Sequence, residues 1–214
     1  MLSKDYILGF VEGEGCFSIA IGKNIDRRSR PSGKKNNIKN PYLFTVRPSF
    51  RITNSVSNIK VLEEIKDTLG FGQIYTQERN NNRSQTVAYF YTKSIAECLM
   101  AKEFFSGLTF RTTKGKDFAL WCQGLEIIQS KKHLQKEGLL ELCALRDQMN
   151  FRPTKNKWSA EEIKKILEEK PNHFTAHEDP EQTQLLHNNN PSFPNWLSKD
   201  QGNSKPNKFV CATH

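Results

Sequence analysis

Ten residues near the start of the chain, Tyr6-Ile7-Leu8-Gly9-Phe10-Val11-Glu12-Gly13-Glu14-Gly15, constrain its fold more than any other stretch. Tyr6, Ile7, Phe10 and Val11 recur at helical spacing, Ser3 stands where it can cap the first turn, and Gly13 with Gly15 is expected to end the helix. The run closes on two carboxylates, Glu12 and Glu14, interleaved with glycine. Glycine lets a second backbone come close, and acids at such a contact can hold a metal ion. Gly9 and Gly13 give the helix a smooth face, suited to packing within the chain or against the same helix of a second copy. In the second arrangement two Glu14 side chains approach across a two-fold axis, which is sensible only with bound cations to offset the like-charge cost.

From Cys16 the apolar period changes to two. Phe17, Ile19 and Ile21 fall on one face and Ser18, Ala20 and Gly22 on the other, the pattern of a half-buried strand. A second strand from Leu43 repeats it: Phe44, Val46, Phe50 and Ile52 alternate with Thr45, Arg47, Ser49, Arg51 and Thr53. One face is therefore core and the other hydroxylated and basic, while Pro48 argues for an edge position or a bulge. Between the strands lies a polar loop with Asn24, Arg28, Arg30, Lys34 and Lys35, opposed only by Asp26. With a net charge of +9, the chain has the field of a protein that attracts polyanions, and nucleic acid is the leading partner.

Ser57 can cap a helix carrying Ile59, Val61, Leu62, Ile65 and Leu69, closed by Gly70. Strands over 73–79 and 85–92 form a hairpin around Asn80-Asn81-Asn82, with Gln73, Tyr75, Gln77 and Arg79 on its polar face. Helices follow over 95–105, 114–131 and 135–149. The order αββαββα makes an α+β domain over residues 1–150 with a four-stranded antiparallel sheet, apolar toward the helices and polar toward a DNA major groove. Ser159-Ala160-Glu161-Glu162 is a capping-box pattern opening a charged helix, so 151–170 reads as a helical extension. Residues 171–214, proline-rich and carrying Asn188-Asn189-Asn190, are expected to be a disordered low-complexity tail.

The first run matches a hydrophobic pair, Gly, two apolar residues, acid, small, acid, Gly. It resembles the signature of the LAGLIDADG homing endonucleases. Phe50-Arg51-Ile52-Thr53-Asn54, Leu69-Gly70-Phe71-Gly72 and Lys114-Gly115-Lys116-Asp117-Phe118-Ala119-Leu120-Trp121 extend the resemblance over most of the chain but not its tail. Asn195-Trp196-Leu197-Ser198 opens like a second copy, but Lys199-Asp200-Gln201 supplies no Gly-acid-Gly, so one complete motif is present. The resemblance implies that Glu14 is the metal-binding acid with the Gly13 carbonyl nearby, and that Glu12 has a helix-end or supporting role. It implies that Lys114, with Lys116 as the competitor, stabilises charge on the phosphate. Asn54 either orders water in the active site or simply satisfies a turn. Tyr6, Gly9, Phe10 and Gly13 form the dimer face, and Mg²⁺ or Mn²⁺ is the expected cofactor.

Other chemistries have little support. Cys16, Cys98, Cys122, Cys143 and Cys211 show no zinc-ligand spacing and read as buried thiols of a reducing compartment. No Ser-His-Asp or Cys-His arrangement is recognisable, and Gly70-Phe71-Gly72 lacks the Lys-Ser/Thr of a phosphate loop. No apolar run reaches membrane-spanning length and no signal peptide or presequence opens the chain, so it is expected to act where it is made, in a mitochondrion or chloroplast, or otherwise in the cytoplasm. The expected protein is a homodimeric, intron-encoded endonuclease cutting both strands of a long pseudo-palindromic DNA site. The rivals on the same fold are an RNA-binding group I intron splicing maturase and a DNA-binding regulator without cleavage.

Overall fold

Ser3 does cap the first helix: its Oγ accepts the Tyr6 N–H at 3.2 Å, and α1 runs Lys4–Glu14. The helix continues through Gly13, and Gly15 terminates it by entering β1 (Gly15–Lys23) with no intervening residue. A Cβ on Gly15 would lie 2.5 Å from the Val11 carbonyl oxygen, so this abrupt change of direction needs glycine. The computed structural model describes residues 1–23, 42–77, 86–150, 158–169 and 174–178.

The remaining elements follow in the expected order: β2 (Tyr42–Ser55), α2 (Ile59–Leu69), β3 (Gln73–Gln77), β4 (Val87–Tyr91), α3 (Ile95–Phe105), α4 (Lys114–Gln129), α5 (Lys136–Gln148) and α6 (Ala160–Glu169). Their strands form an antiparallel sheet in the order β1-β2-β4-β3. Ser57 does not cap α2; Ser55 accepts the Ser57 N–H and caps a single 3-10 turn, Val56–Asn58, ahead of it. Gly70 closes α2 in the left-handed conformation, at φ 76°.

A further strand, β5 (Phe174–Glu178), lies inside the segment expected to be disordered. It pairs in parallel with the first half of β2, Tyr42 opposite Phe174 and Val46 opposite Glu178, whereas the second half of β2 pairs with β4 from Arg51↔Tyr91 to Ser55↔Val87. Pro48, which has no N–H to donate, falls where β2 changes partners on this side.

The described residues pack as two compact units. The first comprises those of Met1–Phe17 and Ser49–Phe118. Its core is aromatic: Phe17 stacks on Phe50 with centroids 5.0 Å apart, tilts against Phe118 at 5.1 Å and meets Phe105 edge-on at 6.0 Å. Such pairs add about 0.5–1.5 kcal/mol each beyond area burial. Ile7 and Val11 of α1 and Leu62 and Ile65 of α2 are fully buried beside them.

The second unit comprises the described residues of Ser18–Pro48 and Ala119–Asp179. Gly124 of α4 lets Ile19 and Leu142 close in, since a Cβ there would sit 2.3 Å from Ile19 Cδ1. The capping box is present as a reciprocal pair, Glu162 N–H to Ser159 Oγ at 3.1 Å and Ser159 N–H to Glu162 Oε2 at 2.8 Å. Trp158, just before α6, meets Phe44 edge-on at 6.5 Å and carries the Lys23 ammonium 5.5 Å over its ring. Ile163 and Leu167 bury the inner side of α6, so the extension belongs to this unit's core.

Cys16, Cys98 and Cys143 are buried and Cys122 half-buried, all as free thiols. Burial pushes Cys98 up to about 12 and Cys143 up to about 11, which keeps both protonated and poor as nucleophiles. Among the described residues no helix is long and apolar enough to cross a membrane. Cys211 lies outside the described residues.

Candidate active site and nucleic-acid interface

All three residues expected to carry the chemistry belong to the first unit. Glu14 is the last residue of α1 and half-buried, and Gly13 beside it is exposed. The final carbonyls of a helix lack intrahelical donors and carry its negative partial charge. In α1 two carboxylates sit at that negative end, and no basic side chain occupies its last turn. Such an end favours a cation, and the Glu14 carboxylate with the Gly13 carbonyl offers the hard oxygen donors that magnesium or manganese prefers. Among the described residues no three His, Cys, Asp or Glu side chains gather to hold a metal.

Glu12 is used differently. Its Oε1 accepts the N–H groups of Arg111 and Thr112, the latter at 2.7 Å, across about a hundred residues of sequence. Burial works to raise its pKa, but the hydrogen bonds from Thr112 and Arg111 outweigh it and hold the carboxyl below its ordinary 4.5. Thr112 Oγ1 in turn accepts the Lys114 N–H at 3.3 Å, and Lys114 opens α4 half-buried. The end of α1 is thus tied through Glu12 and Thr112 to the start of α4. Lys116 is exposed.

Asn54 stands near the end of β2 with its Oδ1 accepting the Ser55 N–H at 2.7 Å and the Asn58 side-chain amide at 3.0 Å. That oxygen satisfies the turn into α2, leaving Nδ2 as the atom directed elsewhere.

On α1 the proposed dimer face is outward. Tyr6 is 46% exposed, its ring stacked with that of Phe10 at 6.3 Å, and a Cβ on Gly9 or Gly13 would meet nothing within 4 Å. The opposite face buries Ile7, Leu8 and Val11.

Alternation holds along most of the expected reading surface. Ser18 and Ala20 on β1 and Arg47, Ser49 and Arg51 on β2 are half-buried between buried apolar neighbours, and Gly22 and Thr53 are half-buried with one such neighbour each. Thr45 departs from the pattern: it is only 8% exposed, and its hydroxyl donates to the Gly22 carbonyl at 3.3 Å, in room left by the missing side chain of Gly22. It is covered rather than available to a partner. Gln73, Tyr75 and Gln77 share a face of β3. Asn24, Arg28, Arg30, Lys34, Lys35 and Arg79 lie outside the described residues.

Tyr89 and Tyr91 of β4 also belong to this surface, though sequence reading did not single them out. Register aligns Arg51 with Tyr91 and Gln73, and Thr53 with Tyr89 and Tyr75. The alternation of Ala88 and Phe90, both fully buried, would have found them. Tyr91 packs on Tyr75 with ring centroids 4.9 Å apart, and burial, followed by its neighbour Tyr75, pushes its phenol upward in pKa. The phenol is therefore neutral at any physiological pH.

The profile of the LAGLIDADG endonuclease family matches residues 7–125. Among curated relatives, the chain is 25% identical over 131 residues to a Podospora anserina protein described as an uncharacterized 50.9 kDa protein in ND4 intron 1, covering 61% of this chain and 25% of that protein. It is 24% identical over 144 residues to a Neurospora crassa protein named probable intron-encoded endonuclease 3, covering 67% and 24%. The chain therefore spans about a quarter of the length of the curated relatives it matches. The archaeal intron-encoded homing endonuclease I-Vdi141I, solved in complex with DNA, shares the fold with a TM-score of 0.61 at 24% identity, over 78% of this chain and 94% of that one.

Proposed function

The chain belongs to the LAGLIDADG endonuclease family, and on that premise we propose that it is a site-specific DNA homing endonuclease, intron-encoded and organellar, that cuts as a homodimer with Mg²⁺ or Mn²⁺. The observation that carries this reading is the open side of α1. Glycine inside a helix costs about 1 kcal/mol relative to alanine. Gly9 and Gly13 both accept that cost although, among the described residues and apart from the adjoining stretch of α1 itself, no atom approaches within 4 Å of where their side chains would be. Their smoothness serves a surface outside the chain, and a second copy of α1 is the partner that also brings a second Glu14.

The chemistry follows from the residues. A divalent ion held by Glu14 and the Gly13 carbonyl would polarise the scissile phosphate and ease deprotonation of an attacking water. Lys114, whose backbone is linked through Thr112 and Glu12 to the end of α1, would offset the negative charge that grows on the phosphate oxygens. Glu12 keeps Lys114 in place by fixing the N–H groups of Arg111 and Thr112. The polar face of the sheet reads the target: the major groove admits a β-ribbon and displays a distinct pattern for each base pair. Two copies related by a two-fold axis would read a pseudo-palindrome.

The ND4-intron setting of the Podospora relative and the naming of the Neurospora one support an intron origin for this gene and action inside an organelle. An RNA maturase is the second reading, favoured by the half-buried Tyr75, Tyr89 and Tyr91, since aromatic rings on a sheet can stack unpaired bases. The test is cleavage, with Mg²⁺, of a duplex carrying the joined exons that flank the gene. Double-strand cutting there, lost in Glu14→Gln, upholds the nuclease. Intact DNA together with protein-dependent intron splicing would replace it with the maturase.

A further inference from the structure

Within the first unit, three residues on neighbouring strands of the polar face are joined side chain to side chain. The Arg51 guanidinium carbon lies 5.7 Å from the centroid of the Tyr89 ring. The Tyr89 hydroxyl donates to Gln77 Oε1 at 2.7 Å. Register explains how one tyrosine reaches both. Tyr89 stands directly opposite Thr53 on β2 and Tyr75 on β3, while Arg51 pairs with Tyr91, and Gln77 with Val87. Arg51 and Gln77 are thus the diagonal neighbours of Tyr89 in opposite directions along its strand. Diagonal pairs on one face are within reach of aromatic and long side chains.

We infer that Tyr89 is a specificity-determining positioning residue that locks Arg51 and Gln77 into one reading unit, directed at hydrogen-bond acceptors on DNA base edges. The inference rests on the reading of this sheet face as the DNA-facing one. Arginine and glutamine each lose considerable rotamer freedom when they engage a base, and a contact that already restricts them removes part of that cost. The ring restricts Arg51 by holding its planar guanidinium over the π-face. The hydroxyl restricts Gln77 by occupying its carbonyl oxygen, so the amide NH₂ becomes the group left to face a partner. Both outer members therefore present N–H donors, matching edges such as guanine O6 and N7 or thymine O4. Their base positions are then read jointly, and a change at one alters discrimination at the other.

The test selects from a pool of random-sequence DNA duplexes with the full chain, every protein carrying Glu14→Gln so that the pool is not cut. Base preferences are compared within each preparation, which makes the ratios insensitive to the fraction of protein that is folded. Arg51→Ala and Gln77→Ala first mark the positions each residue reads. Tyr89→Leu is expected to lower discrimination at both positions, by roughly two- to fivefold at that of Arg51. Tyr89→Phe is expected to spare the Arg51 position and lower only that of Gln77. Preferences that stay unchanged at both positions in both Tyr89 variants would overturn the inference. So would effects of Arg51→Ala and Gln77→Ala that simply multiply in the double variant. If Arg51→Ala and Gln77→Ala themselves leave the whole profile unchanged, the DNA-facing reading of the sheet fails first and this inference falls with it.

Discussion

Along α1, Ile7, Leu8 and Val11 are 0%, 8% and 0% exposed, whereas Tyr6 is 46% exposed and the positions of Gly9 and Gly13 look onto open space. The covered side obeys the rules of any core: branched apolar residues at helical spacing, each removed from water. The open side violates them, with glycines where alanine would make a better helix. A helix that satisfies the interior on one side and departs from helix propensity on the other is what selection for the proposed outside partner, added to selection for the fold, would leave. The two acids divide in the same way. Glu12 is committed to two backbone N–H groups of its own chain, and Glu14 ends the helix half-buried with a cationless last turn around it.

The contrast can be broken in several places. Glu14→Gln should lower cleavage by about a thousandfold or more while leaving DNA binding and thermal stability near those of the wild type, because several kcal/mol of metal-assisted stabilisation depend on that charge. Normal single-turnover cutting by this variant would remove Glu14 from the outward set. Lys114→Ala should slow the single-turnover rate by roughly 10²–10³, the scale of a lost charge-stabilising group, with modest change in affinity. An unaltered rate would move the role to Lys116.

Ile7→Ala tests the covered side and should cost about 2–5 kcal/mol in urea denaturation. Gly9→Leu tests the open side. It should leave the folding of one chain intact but cost about 1–3 kcal/mol of association, as overpacking does, and sedimentation with parallel cleavage assays would register it. A Gly9→Leu protein that stays dimeric and active would mean that the smooth face has no partner.

The smallest effect belongs to Glu12. Its folded pKa lies below 4.5, so its contribution to stability is present above that value and is lost as pH falls through the depressed folded pKa. Glu12→Gln should therefore flatten the acid limb of a thermal-midpoint profile by lowering the plateau near neutrality slightly, and change little once pH is below the depressed folded pKa. An acid limb as steep as that of the wild type would show that the carboxylate is not what holds the 111–112 segment.

Local chemistry was the legible part of this chain. The Ser3 cap, the αββαββα order, the Gly70 turn and the Ser159–Glu162 box all depend on residues within a few positions of one another, and the structure has each of them. What escaped depends on distant partners. Nothing near Phe174–Glu178 indicates pairing with Tyr42–Val46, so β5 was hidden in a polar, proline-flanked segment. Thr45 has the right parity for an outward residue, and only its bond to Gly22 takes it out of reach. Glu12 finds Thr112 across the whole first unit, a meeting that no periodicity encodes. The roles proposed for Glu14, Lys114 and Asn54 come from a motif, which names residues but does not measure them. For Asn54 the structure adds a turn that already employs half of its amide.

Because α1 passes into β1 at Glu14–Gly15 without a linker, the acid that would mark the cut and the first strand of the reading sheet share a single peptide bond. That joint acts as a ruler with a fixed zero. Side chains along the strands can be exchanged without disturbing this joint, but a one-residue insertion here would both spoil the close approach of Gly15 to Val11 and, by shifting the register, turn the following strand over, sending its core residues to the solvent face. On the proposed reading, the spacing between scission point and first recognised base would therefore be the property of this protein least open to gradual change.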